Sequence, residues 1–277
     1  MRFEKWQALG NDYVIVERDA LPWELTAERI TSICTPHFGV GSDGILLLSR
    51  PADRDVVAEL RIFNPDGSEA ELSGNGAREA ALYLRRSGWA DADEFDIATA
   101  AGIVRPRITG PETVAMELGR AALRSDDYPD GPDDGTGELE VDGRRWRFQH
   151  VNVGNPQCVI DAGDEVEEVD LSRVGRRVET HELFPNRTNV SFVRFDGAAV
   201  RARIFERGAG ETLASGTGAS GAAVAARLRG AEGPVSVRMD GGELTVEVSG
   251  ELDVTLIGTA RPVYEGELAP ELVQALG

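Results

Sequence analysis

Residues 61–77 read RIFNPDGSEAELSGNGA and residues 203–219 read RIFERGAGETLASGTGA. They align without a gap at a spacing of 142, and eight of the 17 positions are identical: the opening Arg-Ile-Phe, Glu69 with Glu211, and four of the five residues from Ser73 and Ser215 onward. The likeness continues into Ala80-Ala81 and Ala222-Ala223. Gly10-Asn11 echoes Gly154-Asn155 at a spacing of 144, each pair followed by an apolar run. Chance explains one short match but hardly two at nearly one spacing, so the 277 residues read as an internal duplication. Each half, of about 140 residues, is large enough for its own core.

Local signals agree between the halves. Residues 13–16, 45–48, 56–63, 190–194, 200–205, 235–239 and 244–248 are short β-rich runs divided by Gly, Asp and Pro, and they predict strands. Residues 77–87 and 219–229 carry Ala, Leu and Arg at helical spacing after a Gly-rich turn, and Thr26 caps a further helix. The expected fold is α+β, with two pseudo-symmetric domains, each a curved sheet around one central helix. Their expected bounds are 1–118 joined by 263–277, and 119–262. Residues 125–137, SDDYPDGPDDGTG, read as a solvated acidic loop.

Composition excludes several classes of function. With 48 acidic against 29 basic residues the net charge is -19, which opposes nucleic-acid binding, since that depends on clustered Lys and Arg. Lys5 is the sole lysine, and the acidic excess reads as a solubility feature. No apolar run reaches the roughly 18 residues of a membrane span, and the start lacks a signal-peptide core, so a cytoplasmic protein with no membrane partner is expected. Cys34 and Cys158 are too few for a disulfide framework. His37, His150 and His181 are scattered, so no metal site is expected. Cys158, inside a strand, reads as a small buried apolar residue.

The Gly-rich turns carry the chemistry. Ser73 and Ser215 each stand just before a helix whose first backbone N–H groups lack intrahelical partners, so Gly74-Asn75 and Gly216-Thr217 offer two small anion cradles. Either serine also fits as an ordinary N-cap, and the residues alone leave both roles open. Asn11, Asn64, Asn155, Asn189, Glu206 and Arg207 accompany these turns. An arginine with asparagine amides suits a dicarboxylic or amino-acid ligand, gripped through a bidentate carboxylate contact.

At these residues the sequence resembles the diaminopimelate epimerases. The resemblance rests on GNDYVIVE from Gly10, FNPDGSEAELSGNGAR from Phe63, GNPQCV from Gly154, NRTNVSFV around Asn189 and FERGAGETLASGTGAS from Phe205, and runs the whole length. It implies an isomerase of lysine biosynthesis that works without pyridoxal phosphate or another cofactor, commonly as a homodimer. Its two α/β domains would close on a small amino-acid substrate. The implied reaction interconverts LL- and meso-2,6-diaminopimelate, one group removing the α-proton and another returning a proton on the opposite face. Carried over, the two acid/base groups fall on Ser73 and Ser215 with Glu206 as helper. Asn11, Asn64, Gly74, Asn75, Asn155, Asn189, Glu206, Arg207, Gly216 and Thr217 bind substrate, and Tyr264 falls at a dimer contact.

The sequence also departs from the pattern. The family normally has cysteine at both acid/base positions, a histidine where Gln157 stands, and in some members a glutamine where Gly44 stands. A thiol ionises near neutrality at a helix N-terminus, whereas a serine hydroxyl needs a base beside it. The alternatives are therefore a same-superfamily isomerase or dehydratase with another substrate, or a binding protein that has lost turnover.

Overall fold

Tyr13 to Val16 and Ile45 to Leu48 are apolar at every residue, the pattern of strands covered on both faces. A computed structural model, describing residues 1–51 and 55–277, bears this out. Two units form: Met1–Met116 with Gly258–Gly277, and Glu117–Ile257. The changes of unit fall at 116/117 and 257/258 rather than at 118/119 and 262/263. Both lie inside strands, where no linker composition marks them.

The first unit runs β1 (Arg2–Ala8), β2 (Asn11–Glu17), α1 (Ala27–Cys34), β3 (Ile45–Ser49), β4 (Ala58–Phe63), β5 (Glu69–Ala70), α2 (Gly74–Arg86), β6 (Ile97–Thr99), β7 (Gly102–Val104) and β8 (Pro106–Gly110). Then β9 (Thr113–Arg120) leads out of it. The second unit contains β10 (Thr136–Val141), β11 (Arg144–Asn152), β12 (Pro156–Asp161), α3 (Leu171–Glu179), β13 (Asn189–Asp196), β14 (Ala199–Glu206), β15 (Gly210–Thr212), α4 (Gly216–Leu228), β16 (Val235–Met239) and β17 (Gly242–Val248). The strand β18 (Asp253–Thr259) leads back to β19 (Arg261–Glu267) and α5 (Pro270–Leu276).

Strand order repeats between the units. The first has β19-β1-β2-β3-β4-β6-β7 with β5 on β4, and the second has β10-β11-β12-β13-β14-β16-β17 with β15 on β14. Register repeats as well. Parallel pairing sets Val14 on Ile45 and Cys158 on Val190, while antiparallel pairing sets Ile45 on Phe63 and Val190 on Phe205. Phe63 and Phe205 thus hold the same station, each paired onward to its glutamate, Glu69 or Glu211.

Alternate residues of each central strand face opposite sides. Trp6, Tyr13, Ile15, Leu46 and Leu48 pack with α2 residues such as Ala77 and Leu84, whereas Val14, Val16, Ile45 and Leu47 pack with Ile30 and Ile33 of α1. The sheet therefore lies between the expected central helix and a second helical layer, which in the first unit is α1, the helix expected at the Thr26 cap. In the second unit α3 supplies that layer, through Val174 and Val178 against Cys158, Ile160 and Phe192.

Two local expectations need correction. The central helices begin at Gly74 and Gly216, not at Ala77 and Ala219, because the Gly-rich turn is the helix's own first turn. The acidic stretch 125–137 is not wholly solvated: the Tyr128 ring is buried against Phe148, His150 and Phe184, and Thr136 and Gly137 belong to β10. Cys158 is fully buried in the second core. Among the described residues no helix is long and apolar enough to cross a membrane, and no three His, Cys, Asp or Glu side chains group as metal ligands.

Candidate active site

Ser73 and Ser215 cap the two central helices in the same way. Each has extended backbone, and its Oγ accepts from the third helical N–H, Gly76 at 3.1 Å and Gly218 at 3.2 Å. The N-cap reading of both serines is thus correct. It leaves each hydroxyl at a positive helix end, a place that stabilises negative charge.

In the first unit Asn75 Nδ2 donates to Asn11 Oδ1 at 3.1 Å, joining the helix turn to the start of β2. Asn11 also donates to Asp43 at 2.9 Å. Beneath the turn lies fully buried Arg78, whose guanidinium donates to the Gly74 carbonyl at 3.1 Å and to Asn75 Oδ1. Asn64 engages its own turn, donating to Ser68 Oγ at 2.9 Å. Tyr13, buried on β2, donates its hydroxyl proton to Ser73 Oγ at 3.2 Å.

Gly44 is explained by close approach. A Cβ there would lie 2.2 Å from the Phe63 carbonyl oxygen and 2.7 Å from the Tyr13 ring, so the backbone excludes a side chain such as glutamine.

In the second unit Ser215 is buried close to the Glu206 carboxyl. Burial pushes the Glu206 carboxyl above its ordinary range, and the serine contact partly offsets this. Asn189 is held at both ends: its Nδ2 donates to the Pro156 carbonyl at 2.9 Å and its Oδ1 accepts from the Arg207 N–H at 2.9 Å. The Arg207 guanidinium is exposed and donates to the Asn186 carbonyl at 3.1 Å. Asn155 donates to Thr217 Oγ1 at 3.3 Å and accepts from Gln157 Nε2 at 2.7 Å. Gln157, fully buried, packs on Gly221, where a Cβ would stand 2.9 Å from its own.

The structure thus brings Ser73, Gly74, Asn75 and Asn11 together in one unit, and Ser215, Glu206, Asn155 and Thr217 in the other. Asn189 and Arg207 are joined beside Glu206. Three further residues shape the site. In the sequence Tyr13 is a strand residue and Arg78 belongs to a helical pattern. Glu179, buried, accepts from the Gly208 N–H at 2.8 Å and from the Arg187 guanidinium, fixing the loop that carries Arg207. Only the Gly-Asn-Gly-Ala-Arg context hinted at Arg78; no signal in the sequence marked Glu179.

The sequence profile of the diaminopimelate epimerases matches residues 3–123 and 149–263. The chain belongs to the diaminopimelate epimerase family. It is 40% identical to diaminopimelate epimerase 2 of Nostoc sp. over 98% of this chain and 97% of that protein. It is 39% identical to the diaminopimelate epimerase of Pelotomaculum thermopropionicum over 96% of this chain and 98% of that one. Among solved structures, a phenazine biosynthesis protein of Bacillus anthracis superposes with TM-score 0.65 at 18% identity, over 97% of this chain and 99% of that chain. A hydroxyproline epimerase of Agrobacterium vitis gives TM-score 0.64 at 16% identity, over 97% and 90%. At these identities the two structures show the shared α+β fold.

Proposed function

We propose that the protein is a diaminopimelate epimerase, an isomerase that interconverts LL- and meso-2,6-diaminopimelate by proton transfer at one α-carbon in lysine biosynthesis. Family membership over nearly the whole chain supports the reaction. One further observation supports the chemistry: the Ser215 hydroxyl lies close to Glu206, a carboxylate that burial makes a stronger base.

In this reading the free N–H groups of a Gly-rich turn, at Gly74 as at Gly216, suit the substrate carboxylate beside the reacting carbon, since a helix dipole favours negative charge there. The same positive ends stabilise charge that develops as the α-proton leaves. Glu206 takes the proton through Ser215, and Ser73 returns one to the opposite face. Arg207, with Asn155 and Asn189, receives the distal carboxylate, and Asn11, Asn64, Asn75 and Thr217 complete the set. The serines require assistance that thiols do not, because a hydroxyl is far the weaker acid.

The reading extends to a cytoplasmic homodimer with a small-molecule substrate and no nucleic-acid or membrane partner. Its supports are the family resemblance, the net charge of -19 and the half-exposed Tyr264 and Val263 on the edge strand β19. A Tyr264→Arg chain that sediments as the parent does would remove that strand from the interface.

Incubation of the parent chain with each diaminopimelate isomer, followed by separation of stereoisomers, tests the function. Conversion of each isomer to the same mixture is expected. Binding without conversion would favour a ligand-binding protein, and neither would favour a different substrate.

A further inference from the structure

The two capping serines differ in what touches them. Ser215 Oγ accepts from the Gly218 N–H at 3.2 Å and lies close to the Glu206 carboxyl, a group that can take up its proton. Ser73 Oγ instead receives two donors, the Gly76 N–H at 3.1 Å and the Tyr13 hydroxyl at 3.2 Å. A hydroxyl oxygen with both lone pairs occupied keeps its own proton to give away, and the two donors then stabilise the anion left behind.

Tyr13 is held in that attitude by the fold. It is buried on β2 at the start of the parallel pairing with β3, and Gly44 leaves the space its ring fills. In the second unit the same station, 144 residues on, is Gln157, which donates to Asn155 and makes no bond to Ser215. The duplicated scaffold is thus unlike at this position: a phenol bonds the first serine, whereas the amide at the matching station turns to Asn155.

We infer that Tyr13 is a positioning residue that makes Ser73 the proton donor of the reaction, the role of base falling to Ser215 with Glu206. This rests on the epimerase reading. In the forward sense the α C–H bond breaks, its proton passes to Ser215 as the Ser215 proton passes to Glu206, and the electron pair stays on carbon. The carbanion then takes the Ser73 proton, and the resulting alkoxide is held by the Tyr13 O–H and the Gly76 N–H. The reverse reaction follows the same steps backward.

The test uses the full chain with a thiol at position 73, whose ionisation is read by thiolate absorbance. Cys34 and Cys158 do not interfere, since burial holds both thiols above their ordinary range. Tyr13→Phe in the Ser73→Cys background should raise the pKa of the introduced thiol by about one unit, the effect of losing one donor to the anion. In parallel, Tyr13→Phe should lower kcat about tenfold in the parent with KM held within about twofold, and by less than about threefold in the Ser73→Cys background, because a thiol ionises without the phenol. If Tyr13→Phe destabilises the fold, a fluorinated tyrosine at position 13, a stronger donor of the same shape, should lower the thiol pKa instead.

An unmoved thiol pKa, or an equal kcat loss in both backgrounds, overturns the assignment. A parent chain inert toward diaminopimelate with a shifted thiol would overturn the substrate reading and leave the effect of Tyr13 standing.

Discussion

Glu79→Gln probes what lies beneath the Ser73 turn. Arg78 and Glu79 are adjacent and fully buried in α2, yet neither Glu79 carboxyl oxygen receives a hydrogen bond and the Arg78 guanidinium points instead to Gly74 and Asn75. Burial drives the Glu79 carboxyl well above its ordinary 4.5, opposed less strongly by Arg78, with Asp12 and Asp43 adding to the rise. Arg78, lowered by burial to about 10, remains charged at neutral pH. Burial thus favours the protonated form of Glu79 beside the Arg78 cation, which lies under the Gly74 turn.

The sign of the pH dependence follows. Above pH 4.5 the unfolded chain releases the Glu79 proton while the native chain retains it, so stability falls with rising pH. The slope from this group is about 1.4 kcal/mol per unit, ending at the native pKa. Glutamine has no proton to release and abolishes the slope. Urea unfolding should show Glu79→Gln close to the parent at pH 4.5 and more stable by about 1.4 kcal/mol one unit higher. A variant less stable at neutral pH by about 3–5 kcal/mol, the loss expected when a buried ion pair is broken, would refute this.

The remaining predictions concern the site. Arg207→Ala should weaken diaminopimelate binding by about 2–4 kcal/mol in calorimetry, since the distal carboxylate loses its charged donor. Glu206 must be ionised to act as base and its pKa is raised, so activity should fall with decreasing pH at values above the ordinary carboxylate range. Glu206→Gln should remove that limb from the kcat/KM profile together with most of the rate. Ser73→Cys combined with Ser215→Cys should raise epimerisation by roughly one to two orders of magnitude, each single variant gaining less, because each thiol ionises near working pH. A double variant that binds substrate without any gain would count against the serines as the acid/base pair.

Much of this architecture was legible because it is written twice. The repeat at residues 61–77 and 203–219 marks β4 and the capping serines of α2 with their counterparts, and the Gly-Asn echo marks β2 and β12. The serines and asparagines could be singled out because turn chemistry is local. Tyr13, Arg78 and Glu179 were not legible, since their roles depend on contacts between elements far apart in the chain: β2 with the α2 turn, and α3 with the loop after β14. Helical spacing shows only from Ala77 and Ala219, because glycine and asparagine in the first turn have poor helix propensity, which the capping serines and tertiary packing override. Tyr128 escaped notice because the acidic stretch around it masked one buried ring.

The most direct measurement is proton NMR of LL- and meso-diaminopimelate incubated with the parent chain in deuterium oxide. Two-base transfer through Ser73 and through Ser215 with Glu206 predicts that deuterium replaces the α-proton of each isomer as the isomers interconvert, with interconversion lost in Ser73→Ala and both processes lost in Glu206→Gln. Saturable binding of diaminopimelate with the α-proton signal unchanged would contradict it.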